Sequence, residues 1–211
     1  MPSRFLTTVW DLVGRAQRDS PRAVSLMVDR YRPPVVRFLR VNGFDEHTAE
    51  DLSQEVLKRV FVDGVLAKAD PSRGRFRGLL LGVTRRVASE EVRRRRAAKR
   101  RPVTLPVPSD RDEVFDRLWL ENLLEIAVER LRERSHRHDV PYAEALDMHA
   151  RGERPYSEIA GRFGASEAVA RNWVLRARKI VAAEVRRLMR EYSSSKEDYE
   201  EEMRYLERFM A

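Results

Sequence analysis

The sequence predicts an all-α protein of two small helical domains, and three observations carry that prediction. No segment of its 211 residues sustains a period-two alternation of apolar and polar side chains. Apolar residues recur instead at spacings of three and four, in segments where the 9 glycines and 10 prolines are sparse. Pro102 to Asp110 breaks this periodicity with three prolines among single Val, Leu and Ser residues, as an extended linker would. The expected layout is a first helical domain over 1–101, a linker over 102–111, a second helical domain over 112–191 and an acidic extension over 192–211.

Ser20 and Pro21 make a cap and first-turn pair, opening a helix through Val24, Met27, Val28 and Tyr31 that ends near Asn42 and Gly43 in a left-handed C-cap. Pro33 and Pro34 are expected to kink or interrupt it, because proline lacks the amide and its ring collides with the preceding turn. Asp45 caps the next helix. There Leu52, Val56 and Phe61 lie on one side, and Glu50, Asp51, Gln54, Glu55 and Lys58 lie largely on the other. After Asp70 and Pro71, an arginine- and glycine-containing turn leads into a long helix from about Phe76 to Arg100. Its apolar stripe, Leu79, Leu80, Val83, Val87 and Val92, turns the arginines outward.

The second domain reads as a helix from Val114 to Leu131, another from Tyr142 to Met148, and then a closely coupled pair. Tyr156 to Phe163 turns Ile159, Ala160 and Phe163 inward, Gly164 supplies a turn, and Ser166 caps a helix whose buried stripe is Ala170, Val174, Ala177, Val181 and Leu188. Two helices meeting at a three-residue turn form a helix-turn-helix. Its outer face offers Glu167, Arg171, Asn172, Leu175, Arg176 and Lys179, types that reach base edges and phosphates when such a helix lies in the major groove.

The formal net charge of +8 is unevenly placed. Residues 73–101 alone carry +10, almost all of it arginine, and residues 156–191 carry +4, while 102–155 carry −4 and 192–211 carry −3. Arginine's planar fork suits phosphates and base edges, so the first basic block reads as a nucleic-acid contact. Cysteine is absent, which excludes disulfides, thiolate metal sites and cysteine nucleophiles. No glycine-rich phosphate loop, paired catalytic carboxylates or nucleophile elbow appears, so neither an enzyme nor a cofactor is expected. His136, His138 and His149 have no cysteine or acid cluster beside them, and no metal site is expected. Met1 to Trp10 has no basic leader and no run nears the roughly 18 apolar residues of a span, so a cytoplasmic protein without membrane insertion is expected.

Three signatures in order then resemble one family. They are Thr48-Ala49-Glu50-Asp51-Leu52-Ser53-Gln54-Glu55-Val56, the run Asp70-Pro71-Ser72-Arg73-Gly74-Arg75-Phe76-Arg77-Gly78-Leu79-Leu80, and the C-terminal helix-turn-helix. Together they resemble bacterial RNA polymerase sigma factors of the extracytoplasmic-function type, sigma-70 family, nearest the arginine-rich members common in planctomycetes. The resemblance covers about residues 5 to 190. It implies a factor that binds core RNA polymerase, recognises promoter DNA and promotes initiation, with an anti-sigma factor or other regulator as a further partner.

The resemblance also implies roles. Glu50, Asp51, Gln54 and Glu55 become the polymerase-docking face. Arg73, Arg75, Phe76, Arg77, Arg85, Arg86 and Arg93 become the minus-ten set, coherent with strand opening, which needs phosphate-neutralising arginines beside an apolar face. Phe76 fits either that face or the core. Ser166, Glu167, Arg171, Asn172, Arg176, Arg178 and Lys179 become the minus-35 set. Where many family members carry Asn and Asp in the minus-ten helix this chain has Arg86 and Glu90, and a position often basic in the recognition helix is Trp173.

Two other readings remain open at this stage. A helix-turn-helix regulator that never touches polymerase leaves the Glu50 to Glu55 face without a task, and a recombinase needs a nucleophilic serine or tyrosine beside arginines. The extension matches nothing in the family. There Tyr199, Met203, Leu206 and Met210 form an apolar seam flanked by Glu200, Glu201, Glu202 and Glu207, which either packs on the protein or a partner or stays a solvated chain end. Ser193 to Ser195 read as a spacer or a phosphorylation site.

Overall fold

The computed structural model describes residues 21–68, 76–99, 112–152, 154–193 and 195–208. Among these the fold is all-α, with helices joined by short turns and no strand. The expected linker at 102–111 and the turn bearing Arg73 and Arg75 lie outside the described residues. The chain forms two compact units, residues 1–122 with 189–211, and residues 123–188.

In the first unit, α1 (Pro21–Val41) runs on through Pro33 and Pro34 instead of breaking there. Tyr31 before the prolines and Val35, Phe38 and Leu39 after them are all buried, so the anchored face on both sides outweighs the lost amide bond. Its end is a Schellman motif: the Phe44 amide donates to Leu39 O at 3.2 Å and the Gly43 amide to Arg40 O at 2.9 Å. Gly43, at φ 87°, occupies the left-handed position as expected. Asp45 caps α2 (Glu46–Leu57), accepting from the Thr48 amide at 2.9 Å. A π-helical turn, Lys58–Val62, follows and puts Val60 and Phe61 in the core beside Val56 and Leu57. The short α3 (Val65–Lys68) precedes α4 (Phe76–Lys99).

The expected stripe on α4 is shifted. Phe76, Arg77, Leu80, Leu81, Thr84, Val87, Ala88 and Glu91 are the buried residues, with Leu79, Val83 and Val92 half-buried beside them. The core of this unit is aromatic: Tyr31 stacks on Trp119 at 5.4 Å between centroids, lies 4.9 Å from Phe76 and 6.2 Å from Phe61, and Trp119 meets Tyr192 edge-on at 5.3 Å.

That cluster redraws the expected division at residue 112. The opening of α5 (Asp112–His138), with Phe115, Trp119 and Asn122, belongs to the first unit, as does Tyr192 near the end of α8 (Glu167–Tyr192). Large aromatic faces bury where partners already exist, and Tyr31, Phe38 and Phe76 supply them. The C-terminal helix α9 (Lys196–Glu207), capped by Ser195 accepting from the Asp198 amide at 3.1 Å, is also part of this unit.

The second unit holds the remainder of α5, α6 (Tyr142–Gly152), α7 (Tyr156–Phe163) and most of α8. Ala145, Ile159, Ala160, Ala170 and Val174 form its core, with Leu146, Met148, Tyr156, Phe163 and Trp173 packed around them. Leu131, Tyr142 and Ala177 continue it.

Candidate nucleic-acid interface

Helix α2 presents an outward acidic face. Asp51 and Gln54 are exposed, and His47, one turn earlier, lies 3.7 Å from the Asp51 carboxylate. Glu50 and Glu55 are half-buried and serve the fold as well. Arg32 pairs with Glu50, and Arg59 Nε donates to Glu55 at 2.7 Å while its Nη1 lies 2.8 Å from Glu90.

A second arginine ties α2 to α4. Arg95 Nη2 donates to the Thr48 hydroxyl at 2.7 Å and its Nε to Glu91 at 2.6 Å, while its guanidinium lies over the Phe44 ring. The hydrogen bond from Arg94, with Arg95 adding, holds the Glu91 carboxyl below its usual range. These bridging residues were not among the candidates. Arg59 at four residues from Glu55 was visible in the sequence, but its reach to Glu90 depends on how the helices pack.

Along α4, Gly78, Gly82, Arg86, Ser89, Arg93 and Arg96 are exposed at spacings of three and four, so they share one outward line; Arg85 is half-buried at its edge. A Cβ on Gly78 or Gly82 would meet nothing within 4 Å, so no contact inside the protein calls for glycine there. Two members of the minus-ten set are corrected by the structure. Phe76 is fully buried among Tyr31, Phe61 and Trp119, so it is a core residue and offers no stacking face. Arg77 is 6% exposed and paired with Asp116 and Glu202, so it is closed to DNA in this state.

In the second unit, α7 ends at Gly164 in the left-handed region, φ 62°, and Ser166 Oγ accepts from the Val169 amide at 3.3 Å to start α8. Ser166, Glu167, Arg171, Asn172, Arg176, Arg178 and Lys179 are all exposed. At 100° per residue, Asn172, Leu175 and Lys179 form the outermost line, with Arg171 and Arg178 on one flank and Arg176 on the other. Leu175, 47% exposed, is an apolar side chain in the middle of this polar face. Tyr156 lies 5.2 Å from the Arg171 guanidinium and stacks on His149, and Arg176 donates to the Tyr142 hydroxyl at 3.4 Å. Trp173 turns inward, edge-on to Phe163.

The described residues contain no group of three His, Cys, Asp or Glu placed to hold a metal, and no helix long and apolar enough to cross a membrane. No curated protein matches the chain. Residues 27–98 match the family model of Sigma-70 region 2. Those residues are similar to region 2 of sigma-70 family factors. The match spans about a third of the chain, from α1 to the end of α4, and so contains both the α2 face and the α4 line. Sigma-70 family factors are non-enzymatic transcription initiation factors, and the region 2 match supports RNA polymerase and promoter DNA as partners.

Proposed function

We propose that the chain is a sigma factor of the extracytoplasmic-function type that docks on core RNA polymerase through α2, holds minus-ten DNA along α4 and reads minus-35 duplex with α8. The observation that carries this reading is that the region 2 match brackets two outward faces of opposite chemistry, Asp51 with Gln54 on α2 and Arg86 with Arg93 on α4. An acidic, glutamine-bearing face suits a basic protein partner, and a line of arginines suits a phosphate backbone. The resemblance also assigns Arg73 and Arg75 to minus-ten DNA, and Arg85 sits at the edge of the α4 face. On α8, Asn172 and the flanking Arg171, Arg176 and Arg178 have the donors that read adenine and guanine edges, Leu175 suits a thymine methyl, and Ser166 and Lys179 suit phosphates. The protein works in the cytoplasm, where an anti-sigma factor or other regulator can act on it.

Co-purification with core polymerase followed by run-off transcription tests the reading. Stable association and a defined transcript are expected. DNA binding without association would instead leave a helix-turn-helix regulator independent of polymerase.

A further inference from the structure

The C-terminal helix closes on an arginine that the α4 DNA face lacks in this state. Arg77 opens α4, next to the exposed Gly78 that begins the outward line. Its Nε donates to Glu202 Oε1 at 3.0 Å and its Nη2 to Glu202 Oε2 at 3.1 Å, a two-pronged pair across 125 residues, while Nη1 pairs with Asp116 on α5. Glu202 is fully buried. The Tyr192 hydroxyl donates to it at 3.0 Å and itself accepts from Trp119 Nε1 at 3.3 Å, while the Tyr205 hydroxyl donates to Asp116 and the Tyr205 ring lies under the Arg77 guanidinium. The expected seam on α9 is thereby corrected: Glu202, read as a flank, is at the centre of the buried face with Leu206, and Met203 is half-buried.

We propose that α9 is an intramolecular latch, fastened by Glu202 onto Arg77, whose release makes the start of α4 available to promoter DNA. The proposal rests on the function proposed above. The division of bonds favours a detachable segment: of the three Arg77 guanidinium nitrogens, Nε and Nη2 bond α9 and Nη1 pairs with α5, so lifting α9 leaves Arg77 positioned by Asp116 with its Nε and Nη2 N–H groups to offer a phosphate. Beyond Glu202, α9 is anchored by Tyr205, through Asp116 and Arg77, and by Leu206, its one fully buried apolar side chain among the described residues. Glu197, Glu200, Glu201 and Glu207 face solvent, and a helix of 12 residues is marginal once undocked. A closed latch lowers apparent DNA affinity by the fraction of molecules that are open. This differs from diffuse shielding by the acidic tail, because a buried pair is screened by salt far less than exposed charges.

The test uses the full chain and its E202A, E202Q and L206A variants. Hydrogen exchange follows α9, and fluorescence anisotropy follows binding to a forked DNA with an unpaired strand across a salt series. The expected result is faster exchange in α9 and fork affinity about tenfold higher for E202A and L206A, in between for E202Q, with the ratio to the unaltered chain constant as salt rises. Retained α9 protection in both E202A and L206A, or released α9 with unchanged affinity, overturns the latch. A ratio that decays to one at high salt also overturns it, in favour of shielding. An R86A/R93A chain separates the two levels. If that pair leaves fork binding unchanged, the α4 assignment itself fails. If it weakens binding while E202A strengthens nothing, only the latch fails.

Discussion

Arg59 lies 2.8 Å from Glu90, and this pair joins the turn after α2 to the middle of α4. Both side chains are partly exposed, so the pair is expected to be worth less than about 1 kcal/mol. A double-mutant cycle over R59A and E90A, read by urea unfolding, should give a coupling of about 0.5 kcal/mol that fades toward zero in molar salt. A coupling that ignores salt would mean the two helices are held by packing alone.

Docking is predicted to survive or fail on two residues. Because Asp51 and Gln54 point outward from a helix whose other side is core, D51A/Q54A should unfold at the same denaturant concentration as the unaltered chain. Its affinity for core polymerase should nevertheless fall several-fold or more in competition against another sigma factor. Equal competition by both proteins would remove α2 as the docking face.

Glycine in a helix interior destabilises it by roughly 0.5–1 kcal/mol relative to alanine. Gly82 has open space where a Cβ would go, so G82A should raise stability by about that amount. If a DNA backbone lies close against this line, the same change should weaken binding to forked DNA. Higher stability with undiminished binding would place the DNA elsewhere on α4.

The Asp45 cap carries a pH dependence whose sign is fixed. The amide and hydroxyl of Thr48 hold its carboxyl below the ordinary value of 3.8. A carboxylate depressed by folding contributes its stability in full above its unfolded value and loses it as pH falls through the folded one. The gap in denaturant midpoint between the unaltered chain and D45A should therefore be constant from neutral pH down to about pH 5 and shrink below that. A gap that widens on acidification would contradict the cap.

On α8, R171A and R176A should each lose roughly 1–3 kcal/mol of discrimination between a matched and a mismatched duplex if these arginines read bases. A smaller, sequence-independent loss, with a shallower salt slope, would make them phosphate contacts. Selection of bound sequences from a random pool distinguishes the two.

Local chemistry was legible where neighbours in sequence decide it. Gly43, Asp45 and Ser166 cap the helices they were read to cap, and Gly164 makes the turn it was read to make, because such motifs involve residues close in sequence. The same holds for Ala170, Val174 and Ala177, whose spacing alone turns them inward. Arg77 was misread because an arginine in a basic stretch looks solvated, and its partners stand 39 and 125 residues away. Phe76 was undecided for a related reason: an aromatic at the start of a helix is core or contact according to whether Tyr31 and Trp119 arrive to cover it. Pro33 and Pro34 do not interrupt α1, since proline's local cost is real but burial of Tyr31 and Phe38 on either side prevails.

The first unit is assembled from both sides of the second in chain order, residues 1–122 before it and 189–211 after it. A ribosome therefore produces Arg77 and Asp116 long before Glu202. Until residues 189–211 have been made, Asp116 is the one of Arg77's two carboxylate partners present on the chain. If α9 is the latch proposed above, the order of synthesis puts Arg77 and Asp116 on the chain before the helix that fastens them.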